Sequence, residues 1–145
     1  VKRSKRLEPV GVLAEENERE CAVQMASVQR RLADAERRCN ELKRYLEEYR
    51  DMFRRRATAG MGVTGMRDYQ TFIARLSEAV RQQQGVITQL QADCERTRAN
   101  WLQAAARSTA VHKVIAKIRT EDQRLEDRRN QKESDEHAQR QGGAR

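Results

Sequence analysis

The side chains of this 145-residue chain with reactive chemistry are three cysteines, Cys21, Cys39 and Cys94, and two histidines, His112 and His137. Thiolates and imidazoles ligate metals or act as nucleophiles when they converge. Here the cysteines are too far apart for a C-x-x-C pair, their number is odd, and each falls at an apolar position of a helical repeat, so they read as small reduced hydrophobes. The histidines are far apart, no P-loop is present, and no Ser, His and Asp set converges. The sequence therefore assigns no catalytic residue, metal ligand or cofactor.

A second set is more informative. Five of the six aromatic residues, Tyr45, Tyr49, Phe53, Tyr69 and Phe72, lie between positions 45 and 72. Aromatics confined to one short stretch suit a local interaction surface better than a core shared by the whole chain. Beside them Arg54, Arg55 and Arg56 form one basic turn able to steer an acidic partner.

The elements that position these residues follow from composition and period. The chain is 36% charged, 37% hydrophobic and 4% aromatic, too polar for a thick globular core, yet rich in the strong helix formers Ala, Leu, Glu, Arg and Gln. From Cys21 the apolar positions run Met25, Val28, Leu32, Ala35, Cys39, Leu42, Leu46, Tyr49 and Phe53 in alternating steps of four and three, a coiled-coil seam. The same rhythm returns from Met66 through Tyr69, Ile73, Leu76, Val80, Gln83, Ile87, Leu90, Cys94, Thr97, Trp101, Ala104, Ser108, Val111 and Ile115 to Ile118. Between the runs, ATAGMGVTG supplies Gly60, Gly62 and Gly65 for a reversal.

The predicted fold is all-α: a single domain over 1–145, built as a long antiparallel two-helix coiled-coil hairpin with a C-terminal helical overhang. Helix 1 is expected over about 7–58, the turn over 59–65, helix 2 over 66–139 and a tail over 140–145. A monomer is expected, because the glycine cluster would interrupt a parallel dimer. A reversal centred near Met61 pairs Phe53 with Tyr69, Leu46 with Leu76, Leu32 with Leu90 and Cys21 with Trp101. It sets Leu7 to Ala14 against Ser108 to Ile115 and leaves about 25 residues from Ile118 onward without a partner.

Phase separates the aromatics. With Leu42, Tyr49 and Leu76 at d positions, Tyr45, Met52, Phe72, Ala79 and Val86 fall at g, and the g positions of an antiparallel pair share one flank. Tyr49, Phe53 and Leu76 are expected in the seam, Tyr45 and Phe72 on an exposed partner site.

A formal net charge of +8 raises nucleic-acid binding. Most of the arginines are interleaved with acids, as in RTEDQRLEDRR, with no aromatic platform, which favours a solvated helix face over a nucleic-acid interface. No stretch is long and apolar enough to span a bilayer and the basic start leads into no apolar signal core, so a soluble cytoplasmic protein is expected.

The order and spacing of SKRLEPV, RYLEEYR, the glycine-bearing turn, RDYQTFIARLSEAVRQQQ, ANWLQA and EDRRNQKESDE resemble the flagellar type III export protein FliJ family nearly end to end. The resemblance implies a non-enzymatic, cytoplasmic stalk-like coiled coil, peripheral at the inner membrane, that couples a hexameric export ATPase to the membrane export gate, with export chaperones as further candidate partners. It places gate binding on Arg38, Leu42, Tyr45, Tyr49, Phe72, Leu76, Ala79 and Gln83. It places ATPase binding on the C-terminal helix, at Ile118, Leu125, Arg128, Arg129, Gln131, Lys132, Asp135 and Glu136. The equivalent stalk of a virulence secretion system shares this architecture and stays open as an alternative.

Overall fold

A computed structural model describes residues 2–143, which form two helices, α1 (Arg3–Ala59) and α2 (Val63–Gly143), packed against each other as a helical hairpin. No strand occurs among the described residues. Of the expected tail, positions 144 and 145 lie outside them.

The reversal is tighter than the glycine spacing suggests. Gly60 ends α1 with φ +96°, a left-handed conformation that costs a residue without Cβ little. The Gly62 carbonyl already accepts a bond from the Met66 N–H at 3.0 Å, so α2 starts at Val63 and not at Met66. Gly65 lies inside the helix, where a Cβ would stand 3.2 Å from Met61 Cγ; it gives room to that side chain.

At its other limit α1 begins at Arg3, ahead of the expected Leu7, and carries Pro9 inside it. Proline removes one i to i−4 hydrogen bond and usually ends a helix when it lies beyond the first turn. Here the residues ahead of it are held by α2. The Ser4 N–H and hydroxyl both donate to Asp122 Oδ2, at 3.2 and 2.8 Å, and Lys2 Nζ lies 2.8 Å from Glu126.

Contacts divide the hairpin into two compact units, each containing part of both helices. The first, residues 23–99, is the turn-bearing unit. Its seam is apolar: Val28, Ala35 and Leu90 pack with Leu32, Ile87 and Cys94, and Cys39, Leu46 and Val80 pack with Leu42, Ile73, Leu76 and Ile87. The expected neighbours Leu46 and Leu76, and Leu32 and Leu90, fall in common clusters, and the Phe53 and Tyr69 rings lie 6.1 Å apart. Thr97 is buried by turning its hydroxyl back to the Asp93 and Cys94 carbonyls, at 2.9 and 3.1 Å.

The second unit, residues 2–22 with 100–143, is the end-bearing unit and is built from small residues. Ala14, Ala104 and Ser108 are buried with Ile115 and Ile118, and Gly11 is buried where a Cβ would meet Ile115 Cδ1 at 3.0 Å. Polar pairs flank this seam: His112 with Glu15 at 2.8 Å and Arg119 with Glu8 at 3.2 Å. Within this unit the pairing falls further along α2 than a reversal centred on Met61 implies. Ser4 meets Asp122 rather than Ile118, and Gly11 faces Ile115 rather than Val111. The expected unpaired segment therefore begins later. Asp122 has a partner in α1 and Glu126 one in Lys2 just ahead of it, and every described position from 127 to 143 is exposed.

Candidate functional site

Two surfaces carry the predicted site residues. The first belongs to the turn-bearing unit. Tyr49 is the hub: its ring lies 4.4 Å from Phe72 and 6.5 Å from Tyr69, both in tilted geometry, while Phe53 continues the stack on Tyr69. Tilted pairs at these distances contribute beyond the area they bury. Arg56 places its guanidinium 5.6 Å from the Tyr69 centroid, a cation over a ring face.

The sequence-predicted flank divides by role. Leu42 and Leu76 pack on the cluster of Cys39, Leu46 and Val80 and are half-buried seam residues, as is Tyr49. Gln83 turns its amide inward, donating across the hairpin to the Ala35 carbonyl in a long 3.4 Å bond. Ala79 is half-buried. What remains for a partner is Tyr45, 53% exposed, Phe72, 42% exposed, and the exposed Arg38, with Val86 adding an apolar side chain at 47%. Phe72 is shared between the two roles, since the face packed on Tyr49 is internal. Its removal is therefore expected to cost some stability as well as flank surface.

The second surface is on α2 in the end-bearing unit. Ile118 is a buried seam residue, 9% exposed, and offers a partner no side chain. Leu125 is 59% exposed, and Arg128, Arg129, Gln131, Lys132, Asp135 and Glu136 are all exposed on the same helix. The Gln131 amide donates to Asp135 at 3.0 Å one turn on, a local contact that supports the helix without a partner.

At the start of this stretch lie the polar contacts that sequence reading missed. Ser4, donating twice, holds the Asp122 carboxyl below its ordinary pKa. The hydrogen bond and charge of Lys2 do the same for Glu126, and Glu126 raises Lys2 in return. The signal was present as a continuing heptad step from Ile118 to Asp122, but a carboxylate at a seam position does not read as core until its donor is seen.

Cys39 is buried and Cys21 and Cys94 half-buried, all as free thiols. The described residues contain no group of three His, Cys, Asp or Glu side chains placed to hold a metal ion, and no helix long and apolar enough to cross a membrane.

The fold defines a two-helix coiled-coil protein. A family model described as Flagellar FliJ protein matches residues 3–145, and the chain belongs to that family. It is accordingly a component of the flagellar export apparatus, of a family that is not catalytic. No curated protein and no solved structure matches the chain.

Proposed function

We propose that the chain is the stalk-like coupling component of that apparatus, binding the membrane export gate through the flank around Tyr45 and the hexameric export ATPase through α2 beyond Glu126. The observation that carries this reading is the exposure of Tyr45 and Phe72 beside a hub, Tyr49, that the hairpin already uses for itself. Two helices have no third layer to cover such a flank, and half-exposed aromatics at a fixed site are the usual anchors of a partner interface. The polar, mixed-charge segment after Glu126 suits the ring of an ATPase, where polar contacts register a helix without one rigid apolar interface. Binding at the gate would place the protein peripherally at the cytoplasmic face of the inner membrane.

Photo-crosslinking from positions 45 and 128, with identification of the captured proteins, tests both contacts. Capture of the gate from 45 and of the ATPase from 128 supports the reading; capture of one partner from both overturns it. Tyr45→Ala is expected to weaken gate binding at least tenfold, about 1.4 kcal/mol or more for an aromatic anchor, with unfolding unchanged. Truncation after Asp127 leaves the Ser4–Asp122 and Lys2–Glu126 contacts in place and is expected to abolish ATPase stimulation.

A further inference from the structure

The turn itself carries chemistry that the flank does not use. Arg50, Arg54, Arg55 and Arg56 lie along the last three turns of α1 and Arg67 in the second turn of α2, opposed in the stretch 50–68 only by Asp51 and Asp68. All five arginines are exposed. Arg50 and Arg54 have acidic neighbours one turn away, Glu47 at 3.4 Å and Asp51 at 3.0 Å, and Arg56 lies over Tyr69. Arg55 and Arg67 make no ion pair among the described residues.

Between these two arginine-bearing stretches, in the first turn of α2, is Val63, 70% exposed, the most exposed large apolar side chain among the described residues. It belongs to neither heptad run, so the seam has no use for it. Around it the surface is small. An added Cβ at Gly60 or Gly62 would meet nothing within 4 Å, and Ala59 and Thr64 are exposed. A protein hot spot usually seats a large side chain in a well-packed pocket. An exposed aliphatic residue flanked along the chain by exposed arginines matches instead a fluid anionic layer, which takes up a shallow apolar insertion and pairs its charges without fixed geometry.

We propose that the turn of this hairpin is a docking surface for the anionic headgroup layer of a lipid bilayer, with Val63 inserting at the interface and the flanking arginines, Arg55 and Arg67 foremost, facing the headgroups. The proposal does not rest on the gate assignment. Tyr45→Ala should leave lipid binding intact, and failure to bind lipid would leave the Tyr45 flank unaffected.

Sedimentation of the full chain with vesicles of phosphatidylcholine mixed with phosphatidylglycerol, against phosphatidylcholine alone, tests it. Binding is expected only to the anionic vesicles and is lost at high salt, as screening requires. Arg55→Gln with Arg67→Gln should weaken it about 30-fold, roughly fivefold for each cation removed from the surface. Val63→Asp should weaken it as well, and an acidic residue in the first turn of α2 favours that helix, so the fold is retained. A charge-matched control, Lys113→Gln with Lys117→Gln, removes two exposed cations from the other unit and should leave binding within twofold. Equal binding to neutral vesicles, full retention by the Arg55 and Arg67 variant, or an equal loss in the lysine control overturns the proposal. So does binding of these arginines to an acidic protein face with none to vesicles.

Discussion

The turn-bearing and end-bearing units use the same two helices and the same heptad rhythm but close their seams differently. Between residues 23 and 99 the seam is filled by Val28, Leu46, Val80 and Leu90 and finished by stacked aromatics. In the unit of residues 2–22 and 100–143 it is filled by Gly11, Ala14, Ala104 and Ser108, with Ile115 and Ile118 as its large buried residues. Small side chains bury little apolar area, so that seam draws more on cross-helix polar bonds: Ser4 to Asp122, Lys2 to Glu126, Glu8 to Arg119 and Glu15 to His112. Apolar burial is indifferent to moderate salt and pH, whereas exposed charge pairs respond to both. The end-bearing seam is therefore expected to respond to salt and pH more than the turn-bearing one.

The sharpest way to break that contrast is to empty the apolar seam. Leu46→Ala, at a position only 7% exposed, is expected to cost about 2–3 kcal/mol in denaturant unfolding, the lower part of the range for buried leucine because a two-helix seam can partly collapse. A loss below about 1 kcal/mol would mean that the turn-bearing unit does not depend on apolar packing.

A smaller effect is expected from the polar clasp. Ser4→Ala removes two hydrogen bonds to Asp122 and should cost about 1 kcal/mol, seen as lost amide protection confined to the first turns of α1. Acid should act on the same contacts. Asp122 and Glu126 have folded pKa values below their ordinary ones, so their contribution is complete above about pH 5 and disappears as pH falls through the folded values. Lys2 is raised by the same Glu126, so the pair persists at neutral pH and is lost at the other extreme as alkali deprotonates the ammonium. Hydrogen exchange measured through acidification should therefore show residues 3–8 losing protection before the Val28–Leu90 seam. Glu78, also lowered, pairs with Arg81 on its own helix, so its protonation breaks no cross-helix contact.

The smallest test compares two helical glycines. Gly85→Ala meets nothing within 4 Å and should stabilise by about 0.5–1 kcal/mol through helix propensity. Gly11→Ala offers the same propensity gain but presses on Ile115 Cδ1 at 3.0 Å and His112 at 3.4 Å, so no net gain is expected. Equal stabilisation at both positions would show that the end-bearing seam is looser than its close approach indicates.

Much of this was legible in the residues. Phase alone put Tyr45 on a flank, because a heptad fixes which side of a helix each residue occupies whatever surrounds it, and a reversal centred near Met61 put Phe53 against Tyr69. Phe72 was only half legible. Its g position says flank, but the ring turns onto Tyr49, and a side chain's rotamer depends on a neighbour that is distant in sequence. Val63 was missed because it follows a glycine in what reads as loop, outside any period.

By itself the sequence determined the two helices, their antiparallel return and the flank that bears Tyr45, since these follow from local propensity, a 3.5-residue period and a cluster of glycines that makes continued helix costly. The tertiary structure decided how far the pairing runs. Whether Ile118 is an interface residue or a seam residue, and whether Ser4 and Asp122 are solvated or joined, depends on which residues of α2 the first turns of α1 meet and on how closely Gly11 lets the helices approach. A heptad repeat looks the same after every turn; only the contact of particular side chains across the seam selects one register among those its period allows.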